Sequence, residues 1–274
     1  MTGLHGTDVL FRRWDARPDA ASPRAVLLLV HGLGAHSGRW TFLAEYFAGR
    51  GYASYAIELR GFGRTPERPR GHVRSFEVWG RDIMALRDEL GRDFPDRKVF
   101  LVGESMGGLI AYDLAGRYPD RFDGTVLMAP AFRNGLTFPL GAYVKVALLS
   151  PFKPAHMIDL PFTSEMATRD ADYAAAMNAD PDELRAASLK LMAGFLPLQA
   201  RAGRMAKRFR SPALFLIPGV DHLVDERAAR RIFGRLGAAD KTLVEYPEMF
   251  HALYIDLGRE KVFRDMLGWL EERT

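Results

Sequence analysis

The stretch that most constrains this chain is Gly103-Glu104-Ser105-Met106-Gly107-Gly108, because of what flanks it. Lys98-Val99-Phe100-Leu101-Val102 before it reads as a buried strand, and Met106 to Arg117 after it reads as a helix closed by Tyr118-Pro119. A serine at a sharp strand-to-helix turn must adopt a strained backbone, and only residues without a Cβ fit two positions away on either side. Gly103 and Gly107 meet that need. Such a turn lifts the Ser105 hydroxyl clear of a sheet and aims the first amides of the helix at any developing negative charge. The hydroxyl is a poor nucleophile at neutral pH, so it needs a base, and the base needs a carboxylate to orient it.

The rest of the chain supplies a sheet to carry that turn. Val9 to Trp14 reads as a leading edge strand, and Ala25 to Val30, with no polar alternation, as a central strand covered on both sides. Tyr52 to Ile57, Gly124 to Met128, Ala213 to Ile217 and Thr242 to Tyr246 read as further strands. Helices are expected at Trp40 to Arg50, Phe76 to Asp93, Glu226 to Leu236 and Arg259 to Glu272. From Ala131 to Arg210 the rhythm changes to proline-punctuated helical stretches without a convincing strand. A length of 274 residues, 48% hydrophobic, suits one domain with an insert. The expected architecture is α/β, with a mostly parallel central sheet and helices on both faces. Its core comes from residues 1–130 and 211–274, and a helical cap insert from residues 131–210.

Strand ends on such a sheet should present the nucleophile, an acid and a histidine in that chain order. Asp221 follows the strand Ala213 to Ile217, and His251 follows the strand Thr242 to Tyr246. Asp225 is the rival acid, placed where it could instead cap the next helix. The other histidines, His5, His31, His36, His72, His156 and His222, do not occupy the required position. After the most buried strand, His31-Gly32-Leu33-Gly34 can turn a backbone amide inward, so Leu33 and Met106 are the expected oxyanion-hole donors.

Other chemistries find little support. The third glycine of Gly32-Leu33-Gly34-Ala35-His36-Ser37-Gly38 comes one residue late for a dinucleotide loop, and no metal-ligand spacing occurs, so neither a cofactor nor a metal is expected. Zero cysteines exclude a thiolate site and suit a reducing compartment. The net charge of +4 is spread over scattered arginines, which gives no nucleic-acid stripe. No basic run followed by an apolar core opens the chain, and no segment reaches the roughly 20 apolar residues that cross a bilayer, so a cytoplasmic location is expected.

On these residues the chain resembles the α/β-hydrolase family, and within it the monoacylglycerol lipase and lysophospholipase-like serine hydrolases. The resemblance runs over nearly the whole length. It rests on His31-Gly32-Leu33-Gly34-Ala35-His36-Ser37-Gly38-Arg39-Trp40, Arg60-Gly61-Phe62-Gly63-Arg64, Gly103 to Gly108, Gly219 to Asp221, and His251. It implies the α/β-hydrolase fold, Ser105 as nucleophile, Asp221 as acid, His251 as base, and Leu33 and Met106 as oxyanion donors. Two departures stand out. Glu58 sits where the family usually has aspartate, and the cap around Phe132 to Phe152 matches poorly.

The insert is rich in Phe, Leu and Met, among them Phe132, Leu136, Phe138, Met157, Phe162, Met166, Met192 and Phe195. Such residues can form the cap's own core or roof an apolar tunnel above Ser105. With the resemblance, they point to a carboxylic-ester hydrolase acting on a small-molecule lipophilic ester such as a monoacylglycerol, a lysophospholipid or a short- or medium-chain acyl ester. Gly141 to Leu149 could also touch a membrane surface, tempered by Lys145. An aminopeptidase or thioesterase with the same triad, and a non-catalytic receptor on the same scaffold, are the alternatives.

Overall fold

The computed structural model describes residues 1–4, 6–17, 22–136 and 140–274. Eight strands form one sheet: β1 (Thr2–Gly3), β2 (Leu10–Trp14), β3 (Val26–Val30), β4 (Ala53–Glu58), β5 (Val99–Glu104), β6 (Gly124–Met128), β9 (Ala213–Pro218) and β10 (Lys241–Tyr246). Their order is β1-β2-β4-β3-β5-β6-β9-β10, antiparallel at β1/β2 and β2/β4 and parallel elsewhere. The strand expected at the edge, β2, is therefore one position in. The two residues of β1, too few to leave a periodic signal, pair outside it through Thr2 with Phe11 and Gly3 with Leu10.

The uninterrupted apolar run of β3 has the physical cause inferred from it. Its side chains alternate, so Val26, Leu28 and Val30 enter one hydrophobic core and Leu27 and Leu29 the other. Helices α2 (Phe76–Asp93) and α3 (Met106–Arg117) cover the first face with Trp79, Ile83, Leu86 and Leu109. Helices α1 (Thr41–Ala48) and α9 (Arg259–Glu271) cover the second with Leu43, Phe47, Val262 and Met266. The helix expected from Trp40 begins instead with a 3-10 turn, Ser37–Trp40.

Between β6 and β9 lies the cap: α4 (Leu140–Leu149), β7 (Met157–Asp159), α5 (Ser164–Ala167), α6 (Ala171–Ala179), β8 (Ala186–Ser188) and α7 (Leu189–Met205). It is helical as expected but not strandless. β7 and β8 pair antiparallel, Met157 opposite Ser188. Three residues each, with partners 27 or more positions apart, are too short for periodicity to reveal. Phe138 and His5 lie outside the described residues, as does the side chain of Lys145. Helix α7 is fastened to α3, since the Tyr112 hydroxyl donates to the Ala202 carbonyl (3.0 Å) and Arg201 pairs bidentately with Asp113 at 2.6 and 2.7 Å. The remaining core helix, α8 (Glu226–Gly234), is capped by Asp225, whose carboxylate accepts from the Arg227 amide at 3.0 Å.

Candidate active site

Ser105 sits between β5 and α3 with φ 54° and ψ −117°, a left-handed value costly for a residue with a Cβ. Its neighbours hold it there. The Ser105 amide donates to the Met128 carbonyl and its own carbonyl accepts from Leu109 and Ala131, each at 3.0 Å. A Cβ at Gly103 would strike the Gly107 carbonyl, and one at Gly107 would strike the carbonyls of Val30 and His31. The two glycines are thus required by close backbone approach, as the motif implied.

Asp221 lies beyond the end of β9 and His251 beyond the end of β10. The loops bring them together, with His251 Nδ1 2.8 Å from Asp221 Oδ2. The other carboxylate oxygen of Asp221 accepts from the amides of Leu223 (2.8 Å) and Val224 (2.9 Å), so the acid is held from both sides. Asp225 takes the capping role and stays apart from the imidazole. Ser105 and His251 line the same cavity, yet among the described residues the Ser105 hydroxyl makes no hydrogen bond. His251 Nε2 faces Glu104 Oε1 at 3.3 Å instead.

Burial alone would lower the His251 imidazole. Asp221 beside it, and then Glu104, outweigh that effect, and the net shift is upward, with Arg39 opposing. The Glu104 carboxyl is also raised, first by burial, with Asp221 and Glu183 adding to the rise and His251 and Arg39 opposing it. Glu104 is 2% exposed, and its Oε2 has no hydrogen-bond partner among the described residues.

The glycine turn after β3 closes the site from the other side. Met106 is the first residue of α3, so its N–H falls outside the helical bonding pattern, and among the described residues the Leu33 N–H donates to no backbone acceptor. Both amides are therefore open to a ligand atom. His31 anchors this turn in a single tautomer: Nδ1–H donates to the Gly32 carbonyl at 2.9 Å, and Nε2 accepts from the Leu59 amide at 3.1 Å. Burial pushes His31 down to about 3, so it is neutral, and its 3.7 Å approach to Glu58 is no ion pair. Glu58, the departure from the family pattern, still has a structural role. Its buried carboxylate accepts from the Ser37 amide (2.9 Å) and hydroxyl (2.8 Å), tying the turn to the end of β4.

Part of the cap is bonded to this turn. The Leu184 amide donates to the Gly34 carbonyl at 2.8 Å, where Gly34 holds φ 83°. Arg39 and Glu183 form a buried bidentate pair, both bonds 2.5 Å. His36 Nε2 lies 3.1 Å from Asp180 Oδ2. Of the remaining histidines, His72 meets the Ser188 hydroxyl at 2.9 Å and His222 sits edge-on to Phe250. Arg39, Glu183 and Glu104 escaped the sequence reading. The first two are 144 residues apart, with nothing local to link them. Glu104 occupies a variable place in the motif, and its only signal is an acid where a strand end should be buried.

The cavity over Ser105 holds about 790 Å³ of empty space, counting its open mouth. Its walls are mostly apolar, with Leu33 and Leu223 from the core and Leu160, Phe162, Met192 and Phe195 from the cap. A serine in a left-handed turn at the carboxyl edge of a parallel sheet, sharing a cavity with an acid-held imidazole under an apolar cap, defines the α/β-hydrolase class of serine hydrolases.

Within that class the chain belongs to the family described as serine aminopeptidase, S33, whose family model matches residues 21–258. The chain is 32% identical to a monoglyceride lipase of Homo sapiens, over 100% of this chain and 90% of that one. It is 28% identical to a monoacylglycerol lipase of Mycolicibacterium smegmatis, over 98% and 95% respectively. The crystal structure of Paleococcus ferrophilus monoacylglycerol lipase superposes with a TM-score of 0.89 at 28% identity, covering 98% of this chain and 100% of that one.

Proposed function

We propose that this protein hydrolyses lipophilic carboxylic esters through an acyl-enzyme, with a monoacylglycerol as the leading substrate and lysophospholipids and shorter acyl esters in the same class. The observation that carries this reading is the strained Ser105 opening, together with the Asp221-bound His251, into an apolar cavity. Ser105 Oγ attacks the ester carbonyl as His251 Nε2 takes its proton. The amides of Leu33 and Met106 hold the oxyanion, each contributing on the order of 3 kcal/mol. Asp221 keeps the imidazole in the Nδ1–H tautomer. The alcohol then leaves with the proton from Nε2, and water, deprotonated by the same nitrogen, releases the acid and restores Ser105. No metal or cofactor is required. The matches to two lipases by sequence and a third by structure support the lipid substrate.

The family description favours weighing a peptidase as the second reading. An aminopeptidase must hold the ammonium of its substrate with an anion, and the one carboxyl that lines this cavity among the described residues, Glu104, faces His251. The cavity's other charged groups are cations, Arg39 and Arg185. An ester therefore suits the site better than a free peptide end. In this reading residues 1–130 and 211–274 carry the catalytic groups, and 131–210 roofs the acyl site. Exposed Val144, Leu148 and Phe152 on the cap suit transient contact with a membrane surface from which a lipid substrate could be drawn. Among the described residues no helix is long and apolar enough to cross a membrane. A cytoplasmic enzyme that visits the bilayer fits these features.

The test is S105A against wild type on monoacylglycerols and p-nitrophenyl esters, with an acyl thioester and an aminoacyl amide in parallel. Ester turnover should vanish in S105A with the circular dichroism spectrum intact, and a fluorophosphonate should label wild type alone. Full turnover by S105A removes the nucleophile assignment. A faster reaction with the amide or thioester moves the protein to that class, and a wild-type protein that neither labels nor turns over is a receptor.

A further inference from the structure

The His251 imidazole has a carboxyl group at each nitrogen. Asp221 holds Nδ1 at 2.8 Å, and Glu104 Oε1 lies 3.3 Å from Nε2, the nitrogen that must accept the Ser105 proton. Glu104 cannot easily swing away. It ends the central strand β5, it is buried, and Gly32 closes over it so tightly that a Cβ there would strike the Glu104 carboxyl and lie 3.0 Å from Ser105 Cβ. Among the described residues its Oε2 has no hydrogen-bond partner. The charged and titratable groups around it are His251 and Asp221 from the loops after β10 and β9, Arg39 from the 3-10 turn, Glu183 from the cap, and Tyr254 beyond His251. Arg39 is committed bidentately to Glu183, which leaves the imidazole, 3.3 Å away, as the ion-pairing contact of Glu104 among the described residues.

We propose that Glu104 is a positioning residue that occupies His251 Nε2 in the resting enzyme, sharing one proton with it, and so sets the pH at which the base becomes available. This rests on the reading of His251 as the base. The shared proton has two places to sit: on Nε2, donated to a carboxylate, or on the carboxyl, donated to a neutral Nε2. In both, the lone pair that Ser105 needs is taken. Loss of that one proton to solvent leaves a carboxylate facing a neutral imidazole, a repulsive contact between oxygen and nitrogen lone pairs that favours Nε2 turning to the Ser105 hydroxyl. When Ser105 then gives up its proton, the same carboxylate stabilises the imidazolium. Glu104 therefore delays activation as pH rises and assists the step once it begins.

The experiment is kcat and KM for a p-nitrophenyl ester from pH 5 to 9, followed at a wavelength insensitive to p-nitrophenol ionisation. Wild type, E104Q and E104A are compared, with S105A as the blank. Removing an ionised partner within 4 Å should move the acidic limb of kcat/KM to lower pH by about one to three units. The kcat plateau should fall several-fold with KM little changed. E104A, which adds no donor of its own, should shift the limb in the same direction. A residue that only supports the fold would lower activity at every pH and leave the limb where it was, and that result, or a shift to higher pH, overturns the proposal. In the unaltered protein, NMR should show a slowly exchanging proton held between His251 Nε2 and Glu104 that is lost over the same pH range as the limb; the absence of any such proton below the limb is equally damaging. Turnover by S105A would sink the catalytic reading and this proposal with it, whereas an inert S105A with an unmoved limb sinks the Glu104 role alone.

Discussion

Glu183→Gln isolates the energetic cost of the fastening between cap and core. The Arg39 side chain is 7% exposed and that of Glu183 3%, and two 2.5 Å bonds join them. Burial opposes the Arg39 charge, but Glu183 beside it more than compensates and drives the guanidinium upward. Glutamine keeps the shape, removes the anion and replaces one acceptor with a donor that meets the guanidinium N–H head-on. Charge-assisted bonds contribute about 1.5 to 3 kcal/mol each, and breaking one side of a buried pair costs about 3 to 5 kcal/mol. For a chain of this size each kcal/mol corresponds to roughly 2 to 4 °C, so E183Q should melt about 6 to 20 °C lower. The double variant R39M/E183L, which removes both charges of the pair, should recover most of the loss. Thermal and urea unfolding of R39M, E183L and R39M/E183L close the cycle. A melting temperature for E183Q within about 2 °C of wild type, or a double variant as unstable as the sum of the singles, would refute the reasoning.

Replacing Asp221 by Asn should lower kcat by about 10⁴-fold with KM little changed, since the amide favours the wrong imidazole tautomer; steady-state kinetics decides it. Because the imidazole is raised, kcat/KM should fall with acid around a midpoint above the ordinary histidine value of 6.5, and a midpoint below it would contradict the Asp221 and Glu104 contacts. His31 acts in the opposite sense on stability. Its folded value is depressed to about 3, so the stability it contributes is full above pH 6.5 and is lost as pH falls from there toward 3. Urea denaturation at pH 7 and pH 5 should show a smaller acid loss in H31Q than in wild type.

Much of this was legible before the fold was seen. Continuous apolar runs such as Leu27 to Val30 leave only a two-sided burial, and the Ser105, Asp221 and His251 positions follow from where strands end. Asp225 was separable from Asp221 because a carboxylate just before a helix has a cheap local use. What stayed hidden depends on partners distant in sequence. The β7–β8 ribbon exists through three pairings across the cap. The Arg39–Glu183 bond forms only when the cap folds down. Glu104 reads as an arbitrary motif position until Gly32 and His251 are placed around it.

The Leu184-to-Gly34 hydrogen bond has a practical outcome for anyone reshaping substrate preference. Grafting a foreign lid onto this scaffold would cut the tether of the very glycine loop that presents the Leu33 amide, so a chimera built to accept a new acyl chain would lose turnover for reasons unrelated to fit. Transplants that carry the 31–39 segment along with the donor's lid should keep their speed.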